Sequence, residues 1–353
     1  MVLLGLAALF LLCRVFPLRK KKIVLLRRFP EWGSLGALGD AIEADKCLQG
    51  YRVLRVEDWR RLSTIYHLAT AGIIFINDGF TPLRYFALSK KIKLVQIWHA
   101  DGALKRWGAS VNPEGFPEMR RCTAAVCCGE AVRPGWSEAL GLPMDRILAL
   151  GSPRMDALAR PCDAQALRRA FNMKYPQCEG KRLILYAPSF RGGDTSSVDM
   201  LSHFDFAKFR QRFGDELALL VRLHPKMHGQ YNLPDWVIDL TGEPGHADLL
   251  RVSERFITDY SSLMLDAAAL GLPVILYTYD YDDYMANDQG FYTGLRELPP
   301  GPIVTDFDAL LDLLAKPDGS AQLRENFAAF HLGKMDGKSC ERIVNTFILG
   351  ENK

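Results

Sequence analysis

His99 stands in the run Gln96-Ile-Trp-His99-Ala-Asp-Gly102-Ala-Leu-Lys105, directly after an apolar stretch that reads as a strand. An imidazole ordinarily titrates near neutrality, which suits a general base acting on an alcohol. Asp101, two residues on, could orient it. The plainer alternative is a histidine that only hydrogen-bonds its own loop. A second cluster, Val221-Arg222-Leu-His224-Pro225-Lys226, also closes an apolar run. Cations gathered at a strand end suit a diphosphate. Pro225 breaks the strand, so Arg222, His224 and Lys226 need not share a face, and solvated loop charge would look the same.

A third segment, Ile257-Thr258-Asp259-Tyr260-Ser261-Ser262-Leu263, packs strand, turn and helix into a few residues. Ser261 or Ser262 would cap the helix running toward Leu270, and a helix start can hold an anion. A plain N-cap with nothing bound is the competing account. Ala187-Pro188-Ser189-Phe190-Arg191-Gly192-Gly193 is a turn that lets backbone approach a ligand. Asp280-Tyr-Asp282-Asp283-Tyr284 has spaced carboxylates. They could be solvated, touch a polyol or acceptor, or hold a metal; no metal site is assigned.

Each of these segments needs a strand to position it. Ile23–Leu26, Tyr51–Val56, Gly72–Asn77, Lys93–Trp98 and Ala124–Cys128 read as buried strands, with helical periodicity in Trp59–Ala69 and Glu130–Leu140. The pattern loosens over Pro161–Gly180 and then restarts. Arg182–Tyr186, Leu217–Arg222, Arg255–Thr258 and Pro273–Tyr277 are strand-like, and Phe206–Phe213 and Ser262–Leu270 helix-like. That alternation is the βαβ signature of parallel, doubly wound sheets. A chain of 353 residues fits two such domains. The expected division is 1–22 as a membrane anchor and basic arm, 23–160 as an acceptor-side domain, and 161–353 as a donor domain facing it across a cleft.

The N-terminal segment is apolar from Val2 to Cys13 and then carries Arg14 and Arg19-Lys20-Lys21-Lys22, with no acidic residue before Arg28. As a helix the apolar part spans ~18 Å, short of a ~30 Å hydrocarbon core. Its positive charges follow rather than precede it, and no small-residue cleavage site appears, so it does not read as a cleaved signal. An uncleaved short anchor with cations at anionic headgroups is expected, leaving the body on the cytoplasmic face of the cell membrane. Lys+Arg total 44 against 41 Asp+Glu, so the remaining chain is net acidic and offers no case for nucleic acid. The eight cysteines form no C-x-x-C pair, which removes zinc-site spacing and suits reduced, buried thiols.

Taken in order, these segments resemble the CDP-glycerol glycerophosphotransferase family of teichoic-acid primases and polymerases. The resemblance runs from about Leu62 to Phe291. It includes Tyr66-His-Leu-Ala-Thr-Ala71, Trp98-His-Ala with Gly102 and Lys105, Gly151-Ser-Pro-Arg154-Met-Asp156, Ala187-Pro-Ser-Phe-Arg191, Arg222-Leu-His-Pro225, Thr258-Asp-Tyr-Ser-Ser262 and Gly290-Phe-Tyr292. The resemblance implies a GT-B-like α/β fold of two Rossmann-like domains and peripheral or monotopic attachment to the inner membrane face. It also implies transfer of glycerol phosphate from CDP-glycerol to a polyprenyl-diphosphate-linked saccharide, releasing CMP, with no cofactor assigned. By the same resemblance His99 is a base or acceptor-site residue and His224 lies near the donor diphosphate. Ser261 and Ser262 meet donor phosphate, Asp259 supports that turn, and Arg191, Arg222 and Lys226 complete the donor-binding set.

Many family members carry Gly-Thr or Ala-Cys-Gly after the histidine, where this sequence has Ala100-Asp101-Gly102. The length resembles that of primases, which add one unit. Glycerol against ribitol phosphate, the acceptor sugar and the oligomeric state stay open. Two other functions share these features: a GT-B glycosyltransferase using a nucleotide sugar, and a non-catalytic membrane scaffold.

Overall fold

The computed structural model describes residues 2–26, 33–190, 201–224, 227, 231–287 and 290–350. The chain forms two compact units, Met1–Arg160 together with Phe330–Lys353, and Pro161–Ala329. The final residues, expected in the second domain, thus belong to the first. Ile343, Val344 and Phe347 enter the apolar cluster of the first sheet, beside Ile23, Leu38 and Phe75.

The first unit holds β1 (Arg19–Leu26), β2 (Arg52–Val56), β3 (Ala71–Ile76), β4 (Lys93–Gln96), β5 (Ala124–Cys127) and β6 (Ile147–Ala149). They pair in the order β2-β1-β3-β4-β5-β6, and every pairing is parallel. The second unit holds β7 (Arg182–Tyr186), β8 (Leu217–Val221), β9 (Ile238–Asp239), β10 (Arg255–Thr258), β11 (Val274–Tyr277) and β12 (Ile303–Val304). Their order is β12-β11-β10-β7-β8-β9, again parallel throughout. Parallel sheets are covered by helices on both faces, so their strands are continuously apolar. Leu217–Val221 is buried at every position for this reason.

In such sheets ligands bind beyond the carboxyl ends of strands, where the order reverses. In the first unit that point lies between β1 and β3, and in the second between β7 and β10.

The N-terminus corrects the expected division. The apolar helix Val2–Cys13 forms, but Phe10 and Cys13 are buried. Phe10 stacks on Phe86 at 4.7 Å, and Phe16 meets the edge of Tyr66 at 5.5 Å. No helix among the described residues is long and apolar enough to cross a membrane. The basic run is not a separate arm either. Arg19–Lys22 is the first half of β1, and Lys22 is 1% exposed. Its ammonium donates to Thr70 Oγ1 and lies 4.8 Å from the Tyr66 ring. Burial, then Arg19 and Arg52, push its pKa down to about 8.

Candidate functional site

At the carboxyl edge of the first sheet, Asn77-Asp78 follows β3 and Ile97-Trp98-His99 follows β4. Buried Gln96 locks the two turns together. Its Nε2 donates to the Asp78 carbonyl at 3.2 Å, and its Oε1 accepts from the Trp98 N–H at 2.8 Å. Trp98 sits at φ 61°, a left-handed conformation that costs a bulky side chain about 1–3 kcal/mol. Packing holds it there: Trp98 stacks on Trp107 at 4.1 Å and meets the Phe116 edge at 6.3 Å. The His99 ring in turn stacks on Trp98 at 4.3 Å.

His99 Nδ1 lies 3.1 Å from the Asn77 carbonyl oxygen. A carbonyl can only accept, so Nδ1 carries the proton and the lone pair of the neutral ring is on Nε2. Asp78 Oδ1 is 3.8 Å from the same Nδ1 and also accepts from the Gly79 N–H at 2.6 Å. Beside this pair opens a cavity of about 370 Å³ at the β1/β3 reversal, with Leu26, Glu57, Trp59, Asn77, Asp78 and Phe80 in its wall.

Asp101 does not orient His99 as expected. Its Oδ2 accepts from Arg154 Nε at 2.7 Å, and its Oδ1 accepts from the Cys128 thiol at 3.4 Å. Asp101 is nearly buried, so it ties the His99 loop to the helix Pro153–Leu158. Burial, then the Asp101 charge, drives the Cys128 thiol well above its usual pKa.

The second unit builds its own edge at the β7/β10 reversal. Asp259, 1% exposed, accepts from the Ser189 N–H at 2.7 Å and from the Tyr260 N–H. Thr258 Oγ1 donates to the Ala187 carbonyl at 2.8 Å. Through Oδ1, Asp259 therefore clamps the ends of β7 and β10 to each other. Ser261 Oγ accepts from the Leu263 N–H at 3.3 Å. Ser262 occupies the N-cap of helix Leu263–Ala269 without a side-chain cap bond, and its side chain is exposed. His224 is exposed after β8, with its ring 5.3 Å from Phe190. The structure thus gathers His224, Ser261 and Ser262 on one edge.

Arg222 behaves differently. Its Nη1 turns back onto the carbonyls of Leu240 and Glu243, and burial lowers its pKa. Arg191 and Lys226 lie outside the described residues. The acidic segment forms the helix Tyr281–Asn287; just before it Asp280 accepts from Tyr260 Oη at 3.0 Å, and within it Tyr284 stacks on Tyr260 at 3.6 Å. Among the described residues no group of His, Cys, Asp or Glu side chains is arranged to hold a metal.

Sequence reasoning missed Asp78, although it too directly follows a strand. It also missed the pair His246 and Asp266, whose Nε2 and Oδ2 are 3.0 Å apart with Asp266 2% exposed. A carboxylate inside the apolar pattern of Leu263–Leu270 was its signal.

A family model described as "CDP-Glycerol:Poly(glycerophosphate) glycerophosphotransferase" matches residues 47–349. The chain is 30% identical over 303 residues to a teichoic acid poly(ribitol-phosphate) polymerase of Bacillus spizizenii, covering 83% of this chain and 49% of that protein. It thus spans about half of that polymerase. It is 31% identical over 301 residues to a teichoic acid ribitol-phosphate primase of the same organism, covering 80% of this chain and 76% of the primase. Among solved structures, a variant of the wall teichoic acid polymerase TagF soaked with CDPG superposes with a TM-score of 0.79 at 20% identity. That match covers 99% of this chain and 93% of the TagF chain, and it shows a shared fold.

Proposed function

The chain belongs to the CDP-Glycerol:Poly(glycerophosphate) glycerophosphotransferase family, and we propose that it moves glycerol phosphate, or a similar polyol phosphate, from CDP-glycerol to a hydroxyl of a polyprenyl-diphosphate-linked saccharide. CMP is released, and the product is a teichoic-acid-like cell-wall polymer or its first unit. The observation that carries this reading is the hydrogen bond from His99 Nδ1 to the Asn77 carbonyl, which leaves Nε2 basic at a strand end.

The acceptor oxygen attacks the β-phosphorus of the donor. A new P–O bond forms, the bond from that phosphorus to the bridging oxygen breaks, and CMP departs with the electron pair. The hydroxyl proton goes to His99 Nε2. Base catalysis of this kind contributes ~10²–10⁴ in rate. The Asp78 carboxylate, 3.8 Å from Nδ1, favours the imidazolium that results. On the second unit, His224, Ser261 and Ser262 bind the donor diphosphate, held in place by the Asp259 clamp. Positioning and charge stabilisation supply the remainder.

The membrane face belongs to the same reading. Leu4, Leu11, Leu12, Val15 and Phe16 are all at least half exposed, and Arg14, Arg19, Lys20 and Lys21 beside them are exposed too. An apolar face flanked by cations suits the surface of an anionic bilayer. A lipid-linked acceptor on the cytoplasmic face of the cell membrane would be presented there.

The test is CMP release by the purified chain with labelled CDP-glycerol and a lipid-linked saccharide. CDP-ribitol is run alongside, because the relatives named above are ribitol-phosphate enzymes. Turnover only with UDP-sugars would replace the reading with glycosyl transfer. Donor binding without any turnover would replace it with a scaffold.

A further inference from the structure

We propose that Arg19 and Arg52, at the amino edge of the first sheet, bind the phosphate headgroup of an anionic membrane lipid, with the buried Lys22 charge beneath them and the lipid chain against Val15 and Phe16. This rests on the membrane reading of the N-terminal helix and gives that face a defined ligand.

The first observation is a buried cation with no counter-ion. Lys22 is 1% exposed. Its ammonium meets a hydroxyl, Thr70 Oγ1, and lies 4.8 Å from the Tyr66 ring. Charges taken out of water are ordinarily paired, yet among the described residues no carboxylate is bonded to this one.

The second is that the charges around it are cations too. Arg52 is the partner of Lys22 in the β1/β2 ladder. The Arg19 N–H donates at 3.0 Å to the carbonyl of Thr70, the residue that also holds Lys22. Burial, then Arg19 and Arg52, lower the Lys22 pKa. Burial, then Lys22, Arg52 and Arg19, lower that of His67 on the adjoining helix Leu62–Ala69. Arg19 and Arg52 are exposed, and among the described residues neither has a carboxylate partner. Guanidinium forks match phosphate oxygens, and an anion held between them would relieve the repulsion that the three cations exert on one another.

The third is apolar surface at the same place. Val15 is 80% exposed and Phe16 51%, and Phe16 meets the edge of the same Tyr66 ring at 5.5 Å. Cations and apolar side chains thus adjoin through one aromatic ring, the layout that suits a headgroup and its chain. Free phosphate would use the cations and leave Val15 and Phe16 bare. The niche lies where β1 and β3 begin, across the sheet from His99, which follows the carboxyl end of β4.

The test titrates the full chain calorimetrically with dihexanoyl phosphatidate, dihexanoyl phosphatidylcholine and inorganic phosphate. The lipids are kept below micelle formation, so no bilayer is needed. Arg19→Gln and Arg52→Gln each remove one exposed cation. Lys20→Gln removes the same charge from an exposed neighbour that is not among the charges acting on Lys22. Lys22→Met replaces the buried ammonium by an apolar chain of similar length, and Val15→Ser trims the apolar surface. Thermal melting checks folding.

Phosphatidate should bind the wild type at least ~10-fold more tightly than phosphatidylcholine or inorganic phosphate. Its Kd should rise at least ~5-fold in Arg19→Gln and in Arg52→Gln, but less than ~2-fold in Lys20→Gln. Lys22→Met should also weaken phosphatidate without lowering the melting temperature, since it removes an uncompensated buried charge. Val15→Ser should weaken phosphatidate and leave inorganic phosphate unchanged. Phosphatidate binding that is indifferent to both arginine variants overturns the proposal. Equal losses in Lys20→Gln and Arg52→Gln overturn it in favour of diffuse surface charge, and inorganic phosphate or phosphatidylcholine binding as tightly as phosphatidate overturns the lipid headgroup. Leu4→Glu, on the helix away from the niche, should weaken sedimentation with anionic vesicles and leave the phosphatidate Kd unchanged, so the niche and the membrane reading fail separately.

Discussion

Asp101 is bound to Arg154, 53 residues further along the chain, with 2.7 Å between Oδ2 and Nε. The carboxylate of Asp78, by contrast, lies 3.8 Å from His99 Nδ1. Asp101 is nearly buried while Arg154 keeps about a fifth of its side chain exposed. Asp101→Asn should therefore cost stability of about 1–3 kcal/mol, below the ~3–5 kcal/mol for breaking a fully buried pair. In a double-mutant cycle with Arg154→Met the loss in the double mutant should fall short of the sum of the two single losses. Urea unfolding measures both. The pH dependence of turnover, measured below the melting temperature, should not shift in Asp101→Asn.

His99→Ala should lower turnover by ~10²–10⁴ while the melting temperature holds within a few degrees. His99→Gln should be equally inactive, since an amide cannot take the proton. His224→Ala should act on the other substrate and raise KM for CDP-glycerol. Initial rates of CMP release separate the two effects.

Deleting residues 1–22 is a poor test of membrane binding, because it removes half of β1 and the Lys22–Thr70 contact. Leu4→Glu with Leu12→Glu changes two side chains that are each 67% exposed. This pair should leave the fold intact and abolish sedimentation with anionic vesicles. Undiminished sedimentation would remove the helix from the membrane reading.

His331 is 1% exposed and accepts from the Ala103 N–H at 3.5 Å. Burial pushes its pKa down from 6.5 to about 4. The unfolded chain thus takes up a proton that the native state refuses. Stability contributed by this site is complete above about pH 6.5 and is lost as the pH falls toward 4. Between pH 7 and 4.5 the wild type should lose on the order of 2 kcal/mol more than His331→Asn, as read from urea midpoints.

Long apolar runs such as Leu217–Val221 and Ala124–Cys127 are legible because both faces of a parallel sheet are covered. Ile238–Asp239 and Ile303–Val304 are too short to leave a pattern. Helix Ala164–Lys174 was hidden inside a stretch that looks irregular, since none of its residues is fully buried. The basic run misled for the opposite reason: four cations read as a set held at lipid headgroups, yet one of them, Lys22, is inside the sheet. At the site, His99 and Ser261 were visible by their places after strands. The partners that matter, Asn77 for His99 and Arg154 for Asp101, are chosen by sheet order, which no local pattern encodes.

Because Phe330–Lys353 rejoins the first unit, the second unit is an insertion bounded by two crossings rather than a tail. Lys93 donates to the Phe347 carbonyl at 2.7 Å, so a gene cut once, after Arg160, would strip its first product of that last helical segment. Dissection into parts calls for two cuts, with residues 161–329 excised whole and the flanking pieces rejoined by a short linker.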